Sequence, residues 1–207
     1  SFYFGHHMTT IEGGMVCTND EELYEQALLF RSHGMTRGVS NRIEDHYEKK
    51  YPDLNPLFTF AVPGYNMRNH ELNAVLGLEQ IKRLDYNCDK RRENFARWIM
   101  MLDSKKFYTD FHQNGNSNFA LPLILRKKDL ELFEKCCILL DEQKVEYRVG
   151  TAGGGNQARQ PYLENYNFRA EDLSNVDHIH DYGLYIGNHP ELTFYQIDGI
   201  WSKLNAL

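Results

Sequence analysis

The sequence predicts an α/β chain built in two lobes, and three observations carry that prediction. Apolar residues return at helical spacing between Asn69 and Leu102; composition changes character near residue 104; beyond that point two strand-like runs, 119–125 and 145–149, flank a helical face over 130–140. A chain of 207 residues has room for one sizeable core and a second small one. With 42% apolar and 25% charged residues it is an ordinary globular chain, not a disordered or collagen-like one.

Taken in order, residues 1–4 and 12–18 read as two short extended pieces around a glycine-containing loop. Thr18-Asn-Asp-Glu21 has the spacing of a capping box, and Leu23, Ala27 and Phe30 follow at helical spacing, so a helix is expected to run to about Arg31. Residues 33–64 carry no sustained period and hold Pro52, Pro56 and Pro63; an irregular stretch of that length is expected to be functional. Leu72, Val75, Leu76, Ile81 and Leu84 then form one apolar face, and Phe95, Trp98, Ile99 and Leu102 a second, which predicts a helix pair or one long bent helix. In the second lobe Pro122 demotes the 119–125 strand towards a sheet edge, because proline has no N–H to donate. Residues 151–155 are glycine-rich but lack the lysine and hydroxyl of a P-loop, so they read as a flexible substrate or connecting loop. Thr193-Phe-Tyr-Gln196 is another capping box, and Ile197, Ile200, Trp201 and Leu204 give a closing amphipathic helix.

Charge and cysteine usage exclude several partners. Lys and Arg total 23 against 29 Asp and Glu, a net charge of −6, and the basic residues are scattered apart from Lys90 to Arg92, which disfavours a nucleic-acid footprint. No stretch approaches the roughly 18 uninterrupted apolar residues of a membrane span. Cys17, Cys88, Cys136 and Cys137 show no C-x-x-C spacing and read as reduced thiols of a cytoplasmic protein. The chain opens on Ser1 with no leader pattern, from which we expect a piece of a longer polypeptide.

The first eighteen residues hold the most chemistry. His6 and His7 are adjacent, and neighbours on an extended segment point to opposite faces, so joint chelation is disfavoured and no metal is expected. Ser1, Phe2, Glu12, Gly13 and Gly14 fall where the pattern S-F-x-x-x-K-x-x-x-x-G-E-G-G places them, and the segment resembles the DegT-type nucleotide-sugar aminotransferases, pyridoxal-phosphate enzymes of fold type I. Arg31-Ser-His-Gly34 and Gly64-Tyr-Asn-Met-Arg68 resemble that family's R-x-H-G and G-x-N-x-R segments. The resemblance implies the C-terminal half of a fold type I subunit: residues 1–104 as the end of the large cofactor-binding domain with connecting helices, and 105–207 as a small α+β domain.

The departure from the pattern is His6, which stands where the family carries the lysine that binds the cofactor covalently. Imidazole forms no such bond, but its ordinary pKa near 6.5 suits proton transfer at neutral pH. The substitution resembles that of the pyridoxamine-phosphate-dependent sugar 3-dehydratases, which remove the C3 hydroxyl of a 4-keto-6-deoxy sugar. Residues 33–64 contain no cysteine, so an iron–sulfur cluster has no thiolates there. The resemblance is therefore to the cluster-free branch that acts on GDP-4-keto-6-deoxymannose, in the supply of deoxysugars for bacterial surface polysaccharide.

By this resemblance His6 is the catalytic base and then acid, with His7 the competing candidate. Ser1 and Asn66 bind the phosphate of pyridoxal or pyridoxamine phosphate, Asn66 from the neighbouring subunit of a homodimer with shared active sites. Arg37, Phe58, Arg68 and Arg148 contact the nucleotide-linked sugar, since guanidinium groups suit bidentate oxyanion binding. Glutamate is the amine donor that regenerates the cofactor. Two other readings stay open: a non-catalytic nucleotide-sugar or cofactor-binding relative, and an ordinary sugar aminotransferase with its lysine supplied from elsewhere.

Overall fold

A computed structural model describes residues 1–150, 154–168 and 171–207. The chain divides into two compact units, Ser1–Lys82 and Arg83–Leu207. The division expected near residue 104 thus falls earlier, because Phe95, Trp98, Ile99 and Leu102 are buried in the core of the second unit.

In the first unit, helix α1 (Glu21–Arg31) begins on Asp20, whose side chain accepts from the Leu23 amide at 3.0 Å. Thr18 accepts from the Asp20 amide at 3.0 Å, so the cap falls two residues after the expected Thr18 and the expected box does not form. Helix α2 (Asn41–Lys50) lies inside the stretch expected to be irregular. Its apolar content is only Ile43 and Tyr47, and it is specified by its ends: Ser40 caps its start and Lys49 and Lys50 stand in its last turn. Glu25, buried on α1, fixes that start by accepting from Ser40 Oγ at 2.5 Å and pairing with Arg42. A 3-10 turn, Pro56–Phe58, follows, then helix α3 (Glu71–Ile81). The apolar residues of α3 form no buried face within the unit: Leu72, Val75, Leu78 and Ile81 are all exposed. Residues 1–4 and 12–18 form no strands; Phe2 and Gly13 close a loop between them.

Helix α4 (Leu84–Met101) opens the second unit, which makes the expected pair two separate helices. Strand β1 (Ala120–Ile124), helix α5 (Leu130–Glu142), strand β2 (Tyr147–Val149), helix α6 (Ser174–Tyr182), strand β3 (Gly183–Gly187) and helix α7 (Phe194–Ala206) follow. The three strands form one antiparallel sheet in the order β1-β3-β2. Pro122 therefore lies on an edge strand, as its missing donor requires. Leu121, Leu123, Leu184 and Ile186 alternate onto one face and meet Phe95 and Trp98 of α4, Phe133 and Leu140 of α5, and Ile197 and Leu204 of α7. Trp98 is wholly buried, with Nε1 donating to the Pro122 carbonyl at 2.7 Å, so its truncation would cost roughly 3–5 kcal/mol. The capping box of α7 is present, with Thr193 and Gln196 in both of its contacts. The glycine-rich stretch 151–155 lies partly outside the described residues. No described helix is long and apolar enough to cross a membrane.

The Glu25 contacts generate a pH dependence. Hydrogen bonding by Ser40, and the charge and hydrogen bond of Arg42, hold the Glu25 carboxyl below its ordinary value of 4.5 despite burial. A depressed acid stabilises the fold above its unfolded pKa, and the contribution disappears as pH falls through the folded pKa. Urea titrations at pH 7 and below pH 4 should therefore show the Glu25→Gln variant losing less stability on acidification than the parent. Equal acid losses in the two proteins would refute this.

Candidate active site

The candidate site is built from two pieces of backbone in the first unit. The N-terminal loop is closed by Phe2, whose amide donates to the Gly13 carbonyl at 2.9 Å and whose carbonyl accepts from the Thr10 amide at 3.0 Å. Inside it the His6 amide donates to the Tyr3 carbonyl at 3.1 Å, and the His6 ring packs edge-on against Tyr3 with centroids 5.8 Å apart. His6 and His7 are both half-buried. Ser1 is exposed, and its Oγ accepts from the Tyr3 amide at 3.3 Å. Tyr3 therefore bonds both to the hydroxyl assigned to phosphate and to the residue assigned to proton transfer.

The Glu12-Gly13-Gly14 segment is anchored from both sides. Thr10, buried, donates from Oγ1 to the Glu12 carbonyl at 2.7 Å, and Asn73 Nδ2 of α3 donates to the same carbonyl at 3.4 Å. Gly13 lies at φ 147°, where a Cβ would press on Thr10 Oγ1 at 2.9 Å, so glycine is required there. Gly14 has no such requirement, with nothing within 4 Å of a Cβ. Ile11 adopts φ 75°, at the position where the family pattern has glycine. A β-branched residue in left-handed backbone costs on the order of 1–2 kcal/mol, and the hydrogen bonds on either side hold it there. Thr10 and Asn73 were not legible as site residues, because their role lies in backbone contacts across the chain.

The second piece joins the two other motifs into one feature. The chain leaving α1 and the chain at 62–67 run side by side: Tyr65 N donates to Phe30 O at 2.7 Å, His33 N to Tyr65 O at 2.6 Å, and Met67 N to Arg31 O at 2.9 Å. Gly34, at φ 78°, lies against the Val62 carbonyl, and Gly64 lies against Gly34 itself; a Cβ on either would overlap backbone. This crossing sets Asn66 opposite Ser32 in a β-bridge. Asn66 and Arg68 are brought together, Arg68 Nε donating to Asn66 Oδ1 at 3.3 Å, and both are exposed. Just beyond, Asn69 Oδ1 accepts from Asn73 at 2.5 Å, so this turn and the Glu12-Gly13 segment converge on the start of α3.

Arg37 and Phe58 are also brought together, the guanidinium 5.8 Å from the ring centroid, which is a cation–π contact. Both are exposed, held by Thr36 N donating to Thr59 O at 3.0 Å and Ala61 N to Gly34 O at 2.8 Å. Arg148 belongs to the second unit, exposed on β2 opposite Tyr185 and 3.7 Å from Glu146. That unit also holds a cavity of about 300 Å³, lined in part by Phe119, Pro122, Ile124, Gly150 and Tyr185, which the sequence did not indicate. No three His, Cys, Asp or Glu side chains gather around a metal position among the described residues.

The first unit thus presents a half-buried imidazole in a tied loop and, at the glycine crossing, an exposed carboxamide and guanidinium. The chain belongs to the DegT/DnrJ/EryC1/StrS aminotransferase family, whose pattern it matches over residues 1–205. Its fold is accordingly part of a fold type I pyridoxal-phosphate enzyme. Among its relatives, the GDP-4-keto-6-deoxy-D-mannose 3-dehydratase of Yersinia pseudotuberculosis is 31% identical over 210 residues, 99% of this chain and 52% of that protein. A solved structure of the Escherichia coli GDP-4-keto-6-deoxy-D-mannose 3-dehydratase with bound hydrated pyridoxal phosphate superposes with a TM-score of 0.81 at 26% identity, covering 98% of this chain and 52% of that one. A Helicobacter pylori UDP-4-amino-4,6-dideoxy-N-acetyl-beta-L-altrosamine transaminase is 31% identical over 131 residues, 62% of this chain and 31% of that protein. The chain spans about half the length of the two dehydratases.

The glycine crossing can be tested with an internal control. Gly34 and Gly38 have nearly the same φ, 78° and 77°, but a Cβ at Gly38 meets nothing within 4 Å. Gly38→Ala isolates the cost of left-handed backbone, about 1 kcal/mol. Gly34→Ala and Gly64→Ala should each lower the urea midpoint further than Gly38→Ala. Three equal shifts would show that the crossing is not tight.

Proposed function

We propose that this chain supplies the proton-transfer and anion-binding residues of a pyridoxamine-phosphate-dependent enzyme that removes the C3 hydroxyl of a nucleotide-linked 4-keto-6-deoxy sugar, with GDP-4-keto-6-deoxymannose as substrate. The observation that carries the reading is His6, an imidazole at the family's lysine position, half-buried and packed on Tyr3.

The residues present fit the cofactor. His6 offers no amine to bind it covalently, and the exposed Ser1 hydroxyl and Asn66 carboxamide are groups that hold a phosphate without a covalent bond. When bound, pyridoxamine phosphate supplies a primary amine for the sugar ketone and an electron-withdrawing ring. Ser1 and Asn66 orient its phosphate, Asn66 acting on the neighbouring subunit of a homodimer. His6 holds a proton on a ring nitrogen and delivers it to the departing C3 oxygen, so that water leaves; one group serves as base and then acid. Tyr3 keeps the ring turned for that transfer. Arg37, Phe58, Arg68 and Arg148 bind the phosphates and rings of the nucleotide sugar, and glutamate restores the amine form of the cofactor. The four free cysteines fit a reducing cytoplasmic setting.

The full-length protein, incubated with pyridoxamine phosphate and GDP-4-keto-6-deoxymannose, should yield a product lacking one oxygen. His6→Asn should lower that turnover by about 100-fold or more, the usual share of a general acid–base group, while His7→Asn retains most of it. Loss confined to His7→Asn reverses the assignment. A product that has gained an amine points to transamination, and no turnover with several nucleotide sugars points to a binding relative.

A further inference from the structure

The second unit contains a histidine outside the site described above whose ring accepts a hydrogen bond from the backbone. His180 lies on α6, and its Nδ1 is 3.0 Å from the backbone nitrogen of Asn156. A backbone amide can only donate, so Nδ1 must be an unprotonated acceptor for this bond to exist. Asn156 is 4% exposed and makes two further bonds, Nδ2 donating to Asp177 Oδ1 at 2.8 Å and Oδ1 accepting from the Ala158 amide at 2.9 Å. Arg159, three residues on, donates from Nε to Asp177 at 2.9 Å and from its two terminal nitrogens to Asp181 at 2.7 and 3.2 Å. Asp177, His180 and Asp181 are spaced i, i+3, i+4 and so share one face of α6. This row fastens Asn156 and Arg159, and with them the 154–160 segment, to the helix.

The approach is close. Gly155 adopts φ 79°, and a Cβ there would overlap the His180 ring, with Cγ at 3.0 Å and Cβ at 3.2 Å, so only glycine lets the imidazole reach the next amide.

We propose that His180 is a proton-sensitive latch that holds the 154–160 segment on α6 when neutral and releases it when protonated. Protonation puts an N–H on Nδ1, and two donors then face each other at Asn156. The charged groups around the ring set how far the release goes. Asp177 and Asp181 stand on α6 itself, Arg159 comes from the latched segment, and Lys128, ahead of α5, acts on Asp181. An imidazolium competes with Arg159 for the two carboxylates, which weakens the second fastening as the first is lost. Asp181 is held below its ordinary value of 3.8, chiefly by its bond to Arg159, so its own titration lies below the imidazole range. His178, on the same helix, engages the Leu125 carbonyl at 2.6 Å and takes no part in the row. The latch therefore contributes while Nδ1 is an unprotonated acceptor and is lost once the ring is protonated.

Amide hydrogen exchange on the full chain, corrected for the intrinsic pH dependence of exchange, tests this independently of any catalytic role. Protection of the Asn156 amide should fall several-fold between pH 8 and pH 5.5, as the Nδ1 acceptor is lost on protonation. His180→Asn places a carboxamide oxygen near Nδ1, an acceptor that does not titrate, and should keep the protection at both pH values; His180→Phe should lack it at both. Constant protection in the parent protein, the parent's pH response persisting in His180→Asn, or full protection in His180→Phe at pH 8 would each overturn the latch.

Discussion

Where two lengths of backbone press together more closely than a Cβ allows, the residues at the contact must be glycine, and the first unit is organised around such a place. Gly34 packs on the Val62 carbonyl and Gly64 packs on Gly34, so the end of α1 and the 62–67 segment lie closer than any side-chain-bearing residue permits. The hydrogen bonds on either side result from that proximity: Tyr65 and Met67 reach back to Phe30 and Arg31, and Ala61 reaches Gly34. Those bonds saturate carbonyls at the C-terminus of α1 that would otherwise be orphaned. They also fix which way Asn66 and Arg68 emerge. Motifs thirty residues apart are thus halves of one joint, and a single methyl group at either glycine would act on both.

The second unit reaches rigidity by a different route, a dry sheet-and-helix core closed by a buried polar knot. Asn94 of α4 donates to Asn188 Oδ1 at 3.1 Å and to the His189 carbonyl at 3.2 Å. Asn188 donates in turn to the carbonyls of Arg91 at 2.9 Å and Asn118 at 2.8 Å. Both carboxamides are nearly inaccessible, and each satisfied donor avoids the 1–3 kcal/mol or so that an unpaired buried polar group costs. The knot ties α4, the residue after β3 and the approach to β1, so the sheet cannot slide against the helix. The opposite sheet face, carrying Pro122, Tyr185 and Arg148 in one row across the strands, is left with the cavity.

The sequence is most legible where its signal is local. Apolar periodicity located α1, α3, α4, α5 and α7, and the Thr193–Gln196 box marked the start of α7, because each cue sits within a few residues of its effect. Helix α2 was hidden because its stabilisation comes from Glu25, fifteen residues before the Ser40 it grips. Strand β3 was hidden because Gly-Leu-Tyr-Ile-Gly is short and glycine-bounded, and only its central place between β1 and β2 makes it a strand. His6 could be singled out because a family pattern supplies the expectation of lysine. The partners that hold its loop, Tyr3, Thr10 and Asn73, could not, since each fastens it through backbone atoms that no residue-type pattern encodes. The Gly34–Gly64 contact was likewise invisible as a contact, although both glycines stood in the motifs.

Replacing a lysine by a histidine moves a requirement from one bond to many. A covalent anchor fixes a cofactor's position whatever the surrounding loop does, whereas an imidazole leaves position to hydrogen bonds and shape. Groups that must hold a reacting centre within tenths of an ångström need their own supports, since a misplacement of about 1 Å can cost a factor of about 100 in rate. The first unit has supports of that kind at both proposed contact points: Phe2, Thr10 and Asn73 fasten the His6 loop, and the glycine crossing fastens Asn66 and Arg68. Ile11 remains in left-handed backbone between these fastenings, at a cost that a slack loop would relieve by relaxing. In the proposed non-covalent site, loop closure and glycine crossing do the positioning that the lysine amine does in the family's aminotransferase pattern.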